Sequence, residues 1–276
     1  MTRWQKLSRR EAGLEPEGPF EGVPGHLTAP LASWVRDACQ QYHQRFNDDL
    51  VRELGVRLEV EVAPPWTASR VVGALAKREG EDLLDVVDCV LWVADRQNFG
   101  VDEVALEELL DQAASVWRVS DDGTALERRV SDELADTVRL ATTPEDEASK
   151  ELRQAWSNAY GRNGNPSYAW SHAVKALEAL LLQEVCPNQA KGNLGHVVGE
   201  LKKTEGNKWL SSFPGRERDH STLPLAAALE LVWPNPDRHS EPNPRTPTEA
   251  EARSVVAVTA ALVQAHRETP LVYKES

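Results

Sequence analysis

Residues 165–185 read NPSYAWSHAVKALEALLLQEV, and this stretch decides the fold. Asn165 stands directly before Pro166. A proline at the first helical position has no amide hydrogen to leave unpaired, and an asparagine before it accepts from the next turn. Behind that start, Trp170, Val174, Leu177 and Leu181 recur at helical spacing and form a stripe to be buried. His172, Lys175 and Glu178 follow at i, i+3 and i+6 along its flank, and Lys175 can pair with Glu178 across one turn. Two readings fit that flank: an exposed ion pair, or a polar row lining a groove.

The same signal occurs twice more, as Thr143-Pro144-Glu145-Asp146 and Thr246-Pro247-Thr248-Glu249. Glu249 stands fourth in the latter, which completes a capping box. The three starts predict helices over 144–160, 166–186 and 247–267, with shorter ones near 193–204 and 222–233 and a loop over 204–222. Short connections favour antiparallel neighbours, so the C-terminal half, 141–276, is expected to be a helical bundle.

Residues 1–140 are expected to form an N-terminal helical module. In 26–54, Leu27, Leu31, Trp34, Val35, Ala38, Tyr42, Phe46 and Leu50 share one stripe. RLEVEV (57–62) alternates as a short strand would, and Pro64-Pro65-Trp66 breaks the chain. SRVVGALAKR, EDLLDVVDCVLWVADR and VDEVALEELLDQAAS read as further helices. Two short runs around Asp122-Gly123 predict a β-hairpin near 116–130. The fold class is therefore mainly all-α, with one small hairpin.

A chain of 276 residues, 41% hydrophobic and 27% charged, can bury a substantial core. The first twenty residues hold no apolar run of signal-peptide type, and VVAVTAALV near the end is about half the length of a membrane span. A cytoplasmic protein is expected. Cys39, Cys89 and Cys186 lie far apart, which argues for three buried thiols rather than disulfides or a zinc site.

The formal net charge of -13 excludes broad coating of nucleic acid, so any RNA would meet a local basic site. One candidate segment lies between Cys186 and Asp219. Its bases are Lys191, Lys202, Lys203, Lys208, Arg216 and Arg218, against the acids Glu200, Glu205, Glu217 and Asp219. A solvated charged face is the plainer reading of it.

No metal, phosphate-loop or dinucleotide signature is present, and no cofactor is expected. GNLGHVVGE has three glycines but follows no strand, and His196 within it reads as a packed or surface helix histidine. The unusual stretch is WPNPDRHSEPNPRTPTEAEA, residues 233–252, whose many prolines surround an Arg238-His239 pair.

Taken with ELRQAWSNAYGRNGNPSYAWSHAVKALEALL, KGNLGHVVGELKK and LELVWPNPDRHS, this stretch resembles the C-terminal domains of bacterial abortive-infection proteins, which are similar to the HEPN superfamily. The likeness covers roughly 140–267. It implies a small helical bundle acting as a metal-independent ribonuclease, working as a homodimer, in phage defence. The family motif is an arginine, a polar residue just after it and a closing histidine. Here His239 matches the histidine and Asn235 the polar residue, while Pro234 occupies the arginine position. Arg238 beside His239 would then supply the guanidinium.

Such chemistry uses the RNA 2′-hydroxyl as nucleophile. The protein contributes a proton-transfer group, for which histidine suits, and a cation for the phosphorane, for which the arginine fork suits. The resemblance thus implies a site of His239, Arg238 and Asn235, and the polar row and the basic segment offer Lys175, Glu178, Arg216 and Arg218 as substrate-binding residues. Two other readings stay open. One is a degenerate HEPN-like module that binds a nucleotide, RNA or protein partner. The other is an acidic, antitoxin-like interaction protein.

Overall fold

A computed structural model describes residues 7–13, 18–40, 45–189, 191–203, 208–237 and 245–274. It is mainly helical. Its contacts divide the chain into two units, Met1–Arg129 and Val130–Ser276, each with its own hydrophobic core.

The first unit runs α1 (Leu7–Glu11), α2 (Gly25–Ala38), α3 (Asp48–Arg57), α4 (Ala68–Leu75), α5 (Gly80–Arg96), α6 (Glu103–Gln112), β1 (Trp117–Val119) and β2 (Leu126–Arg128). Helix α5 is its centre. Leu83, Leu84, Val86, Val87, Val90, Leu91 and Val93 point several ways round it and are all buried, against α2, α3 and β2 among others. A helix apolar on most sides belongs inside. Asp88 on α5 is also buried, and its Oδ1 accepts the Leu126 N–H at 2.7 Å, which ties β2 to the helix and gives the carboxylate a donor.

The expected hairpin is present, with β1 and β2 antiparallel and Val119 opposite Leu126. Asp122 Oδ1 accepts from Ser120 Oγ and from both the amide and hydroxyl of Thr124, which shapes the turn. Gly123 has φ +75°, a backbone conformation that favours glycine.

Two expectations for this unit are corrected. The apolar stripe of 26–54 is two helices, because Asn47 Oδ1 accepts the Leu50 N–H at 3.2 Å and starts α3 afresh. Leu27, Leu31, Trp34, Val35, Ala38 and Leu50 are buried and Phe46 half-buried, while Tyr42 lies outside the described residues. RLEVEV is not a strand. Helix α3 runs on to Arg57, Glu59 takes φ +51°, and Val60 and Val62 pack half-buried on the core with no partner strand among the described residues.

The second unit runs α7 (Asp132–Ala141), α8 (Glu147–Tyr160), α9 (Pro166–Val185), α10 (Leu194–Lys203), β3 (Leu210–Ser211), α11 (Leu223–Glu230), α12 (Glu249–Glu268) and β4 (Val272–Tyr273). Helix α9 packs against α8, α10 and α12, and α12 also covers α7 and α8. Helix α7, capped by Ser131, was not anticipated. Its Val138 and Ala141 join this core, which is why the division falls after Arg129 rather than at 140. The two-residue pairing of β3 with β4 is too short to show in a sequence pattern.

Helix α9 starts as read: Asn165 Oδ1 accepts from the amides of Ser167 and Tyr168, at 2.9 and 3.2 Å, and Pro166 opens the helix. The other two caps sit further on than expected. Asp146, not Thr143, caps α8, accepting the Ser149 N–H at 2.8 Å. In α12 the capping box is Thr248 with Glu251, not Thr246 with Glu249. In both cases the proline precedes the helix, and the downstream polar residue is fixed by a side-chain partner.

That partner for Asp146 is Arg267, whose Nη1 lies 2.7 Å from Asp146 Oδ2 and whose Nη2 also reaches Ser149 Oγ. Burial alone would raise the Asp146 pKa. The hydrogen bonds from Arg267 and Ser149 outweigh it and hold the carboxyl below its ordinary value. The stabilisation is therefore complete above the unfolded aspartate pKa of about 4 and is lost as pH falls through the lower folded value. We expect Asp146→Asn to unfold at lower urea than the parent chain at neutral pH. The difference should shrink at about pH 3; a constant gap between the two curves would exclude the linkage.

Candidate functional site

The segment from α11 to α12 is anchored at both ends. Trp170 on α9 donates from Nε1 to Val232 O at 2.6 Å inside the core. Trp233 lies against Gly195 near the start of α10, where a methyl group on Gly195 would stand 2.6 Å from Trp233 Nε1. Asn235 is buried, with Oδ1 accepting the Asp237 N–H at 3.3 Å. The Arg245 N–H then donates to Pro236 O at 3.0 Å.

At the far end, Arg245 grips Glu251 with Nη1 and Nη2, at 2.8 and 2.6 Å. Hydrogen bonds from Arg245, then from the Thr248 amide and hydroxyl, pull the Glu251 pKa down to about 2. The sequence between the anchors holds Arg238 and His239, which lie outside the described residues.

Glu178 and Lys175 do not pair. Glu178 Oε1 accepts the Leu194 N–H at 2.8 Å, so a carboxylate of α9 satisfies an orphan amide at the start of α10. That start is also held by Asn193 and His196. Asn193 Oδ1 accepts the His196 amide at 3.2 Å, and His196 Nδ1 accepts the Asn193 amide at 3.1 Å. His196 is thus an exposed capping histidine. Through Gly195, the Glu178 cap adjoins Trp233. Lys175 is exposed and makes no ion pair among the described residues.

Arg216 and Arg218 are both exposed. They lie on an exposed loop closed by His220, whose Nδ1–H donates to Ser211 O at 2.8 Å. Helix α11, 8 residues and about 12 Å long, follows that loop and ends at the turn. The wider basic segment is partly neutralised, with Lys202 on Glu230 and Lys208 on Glu200.

One pairing was not legible in the sequence. His172 on α9 donates from Nδ1 to Glu151 Oε2 on α8 at 2.5 Å, with side chains 24% and 13% exposed. The two residues are 21 positions apart, and only the packing of α8 on α9 joins them.

Among the described residues, no three metal-ligating side chains gather, and no helix is long and apolar enough to cross a membrane. The three cysteines are free. Burial pushes the Cys39 thiol to about 12 and, outweighing the attraction of Arg57, the Cys89 thiol to about 11. No family model, curated protein or solved structure matches the chain.

Two glycines of α10 offer a paired test of how the turn is held. A Cβ at Gly195 meets the Trp233 indole, whereas one at Gly199 meets nothing within 4 Å. Gly195→Ala should destabilise by about 1–3 kcal/mol through overpacking. Gly199→Ala should stabilise by about 0.5–1 kcal/mol through helix propensity. Denaturant unfolding followed by tryptophan fluorescence reads both, and equal effects would refute the packing of Trp233 on α10.

Proposed function

We propose that the C-terminal unit is a metal-independent endoribonuclease of the abortive-infection type, acting as a homodimer in phage defence. The defence role and the dimer rest on the sequence resemblance. The observation that most supports the reading is the Arg245–Pro236 hydrogen bond, which brings together described residues on either side of the Arg-His pair, with Val232, Trp233 and Asn235 held on the core before it. Pinned ends lower the entropy cost of holding two side chains on one phosphate. In this reading His239 takes the proton of an RNA 2′-hydroxyl, and the Arg238 guanidinium holds two phosphate oxygens as charge builds.

A second reading, a binding module without catalysis, is favoured by Pro234 at the motif's arginine position and by Asn235, whose amide oxygen is engaged within its own turn.

Incubating the purified full chain with total RNA in EDTA distinguishes the two. Cleavage is expected, lost in His239→Ala and reduced on the order of 10²-fold in Arg238→Ala. Arg238→Lys should recover little, because an ammonium has no fork. RNA bound but never cut, with neither variant mattering, would hand the function to the binding module.

A further inference from the structure

In the N-terminal unit, the segment after α3 has the pattern of a strand but lacks a partner. Val60 to Ala63 form neither helix, turn nor bend, and they alternate, with Val60 and Val62 half-buried and Glu61 and Ala63 exposed. Arginines hold the segment at both ends. Arg78 Nη2 donates to Leu58 O at 2.5 Å, and Arg70 Nη1 donates to Ala63 O at 2.7 Å and to Pro65 O at 3.0 Å. The Val60 N–H donates back to Gly55 O at 2.8 Å. Between these anchors, the amides of Glu61, Val62 and Ala63 and the carbonyls of Val60, Glu61 and Val62 have no hydrogen-bond partner among the described residues. A fixed, alternating and unpaired segment is an edge that another chain can complete.

Beside this edge lies a groove of about 620 Å3, lined by Val56 of α3, by Glu59, Val60 and Glu61, and by Trp66. Val56 is 74% and Trp66 41% exposed, so the groove carries open apolar surface. The Arg52 guanidinium, 5.4 Å from the Trp66 ring centroid, steadies the indole. Glu59 and Glu61 are exposed and make no ion pair among the described residues, because the nearby arginines of α3 and α5 go to Glu53.

We propose that the N-terminal unit binds an extended basic peptide, with lysine or arginine alternating with apolar residues, as an added strand along Val60–Ala63. This inference concerns the other unit and does not depend on the ribonuclease reading. Charge selects the occupant. In any two-fold antiparallel register that keeps the valines on one face, a second copy of this chain would place its glutamates beside these on the other face, and like charges across strands destabilise. A basic peptide turns that repulsion into attraction at Glu59 and Glu61. Its apolar residues share the face of Val60 and reach the groove where Val56 and Trp66 stand open. Because the edge is held by Arg70 and Arg78 beforehand, little backbone freedom is lost on this side of the contact.

The test uses the full chain and a fluorescein-labelled octapeptide alternating lysine and valine. Its controls are the same peptide with glutamate for lysine, and the lysine peptide N-methylated at alternate residues. Fluorescence anisotropy reads binding, and amide hydrogen exchange reads the edge. The lysine peptide should bind, more weakly as salt rises, and the glutamate peptide should not. N-methylation should weaken binding by about 10-fold or more through lost main-chain hydrogen bonds.

Glu61→Gln should weaken binding by up to about 5-fold and Glu61→Lys by on the order of 10-fold, with thermal unfolding unchanged because the side chain is exposed. Trp66→Ala should cost on the order of 10-fold. The amides of Glu61, Val62 and Ala63 should exchange fast in the free chain and slowly in the complex. Equal binding of the lysine and glutamate peptides, or no binding of the lysine peptide at millimolar concentration, would overturn the proposal. So would binding that leaves the exchange of these amides unchanged, which would make the contact a surface one. Slow exchange in the free chain together with a dimer by light scattering would give the edge to a second copy, and overturn it too.

Discussion

The C-terminal unit depends on one helix having to satisfy three neighbours at once. Helix α9 packs on α8, α10 and α12, so most of its circumference is occupied and only a narrow strip faces out. Polar residues at the edges of that strip must find partners on the adjoining helix or remain incompletely solvated. Glu178 does so on one side, against the α10 N-terminus, and His172 on the other, against Glu151 of α8. Tyr168 and Lys175, between the edges, stay exposed. The same crowding fixes the turn after α11, because Trp170 reaches from α9 to Val232 and Trp233 fills the space left by a glycine of α10.

The N-terminal unit obeys a similar rule with a different helix. Helix α5 is apolar on most of its surface, and the carboxylate of Asp88 is admitted because the Leu126 amide is there to meet it. That bond joins the hairpin to the core, so a two-strand ribbon too short to stand alone is held in place.

On a chain of net charge -13, any site for a polyanion would have to be local. The segment richest in lysine and arginine is not a free basic block, since Lys202 and Lys208 are engaged by glutamates.

The sequence alone determined what depends on neighbouring residues. Asn165-Pro166 marked the start of α9, the stripe of Trp170, Val174, Leu177 and Leu181 marked its buried face, and Asp122-Gly123 marked the hairpin. A cap, a periodicity and a turn each draw their free energy from residues a few positions apart, so they can be read in order along the chain.

Only the tertiary structure decided that Asp146 rather than Thr143 caps α8, because the choice is made by Arg267 at the far end of the unit. It also decided that α7 joins the C-terminal core, that Glu178 belongs to α10 and that His172 belongs to Glu151. Each of these depends on which helices lie side by side. That arrangement is set by burying all the apolar stripes of the unit together, a sum over the whole core that no short stretch of sequence contains.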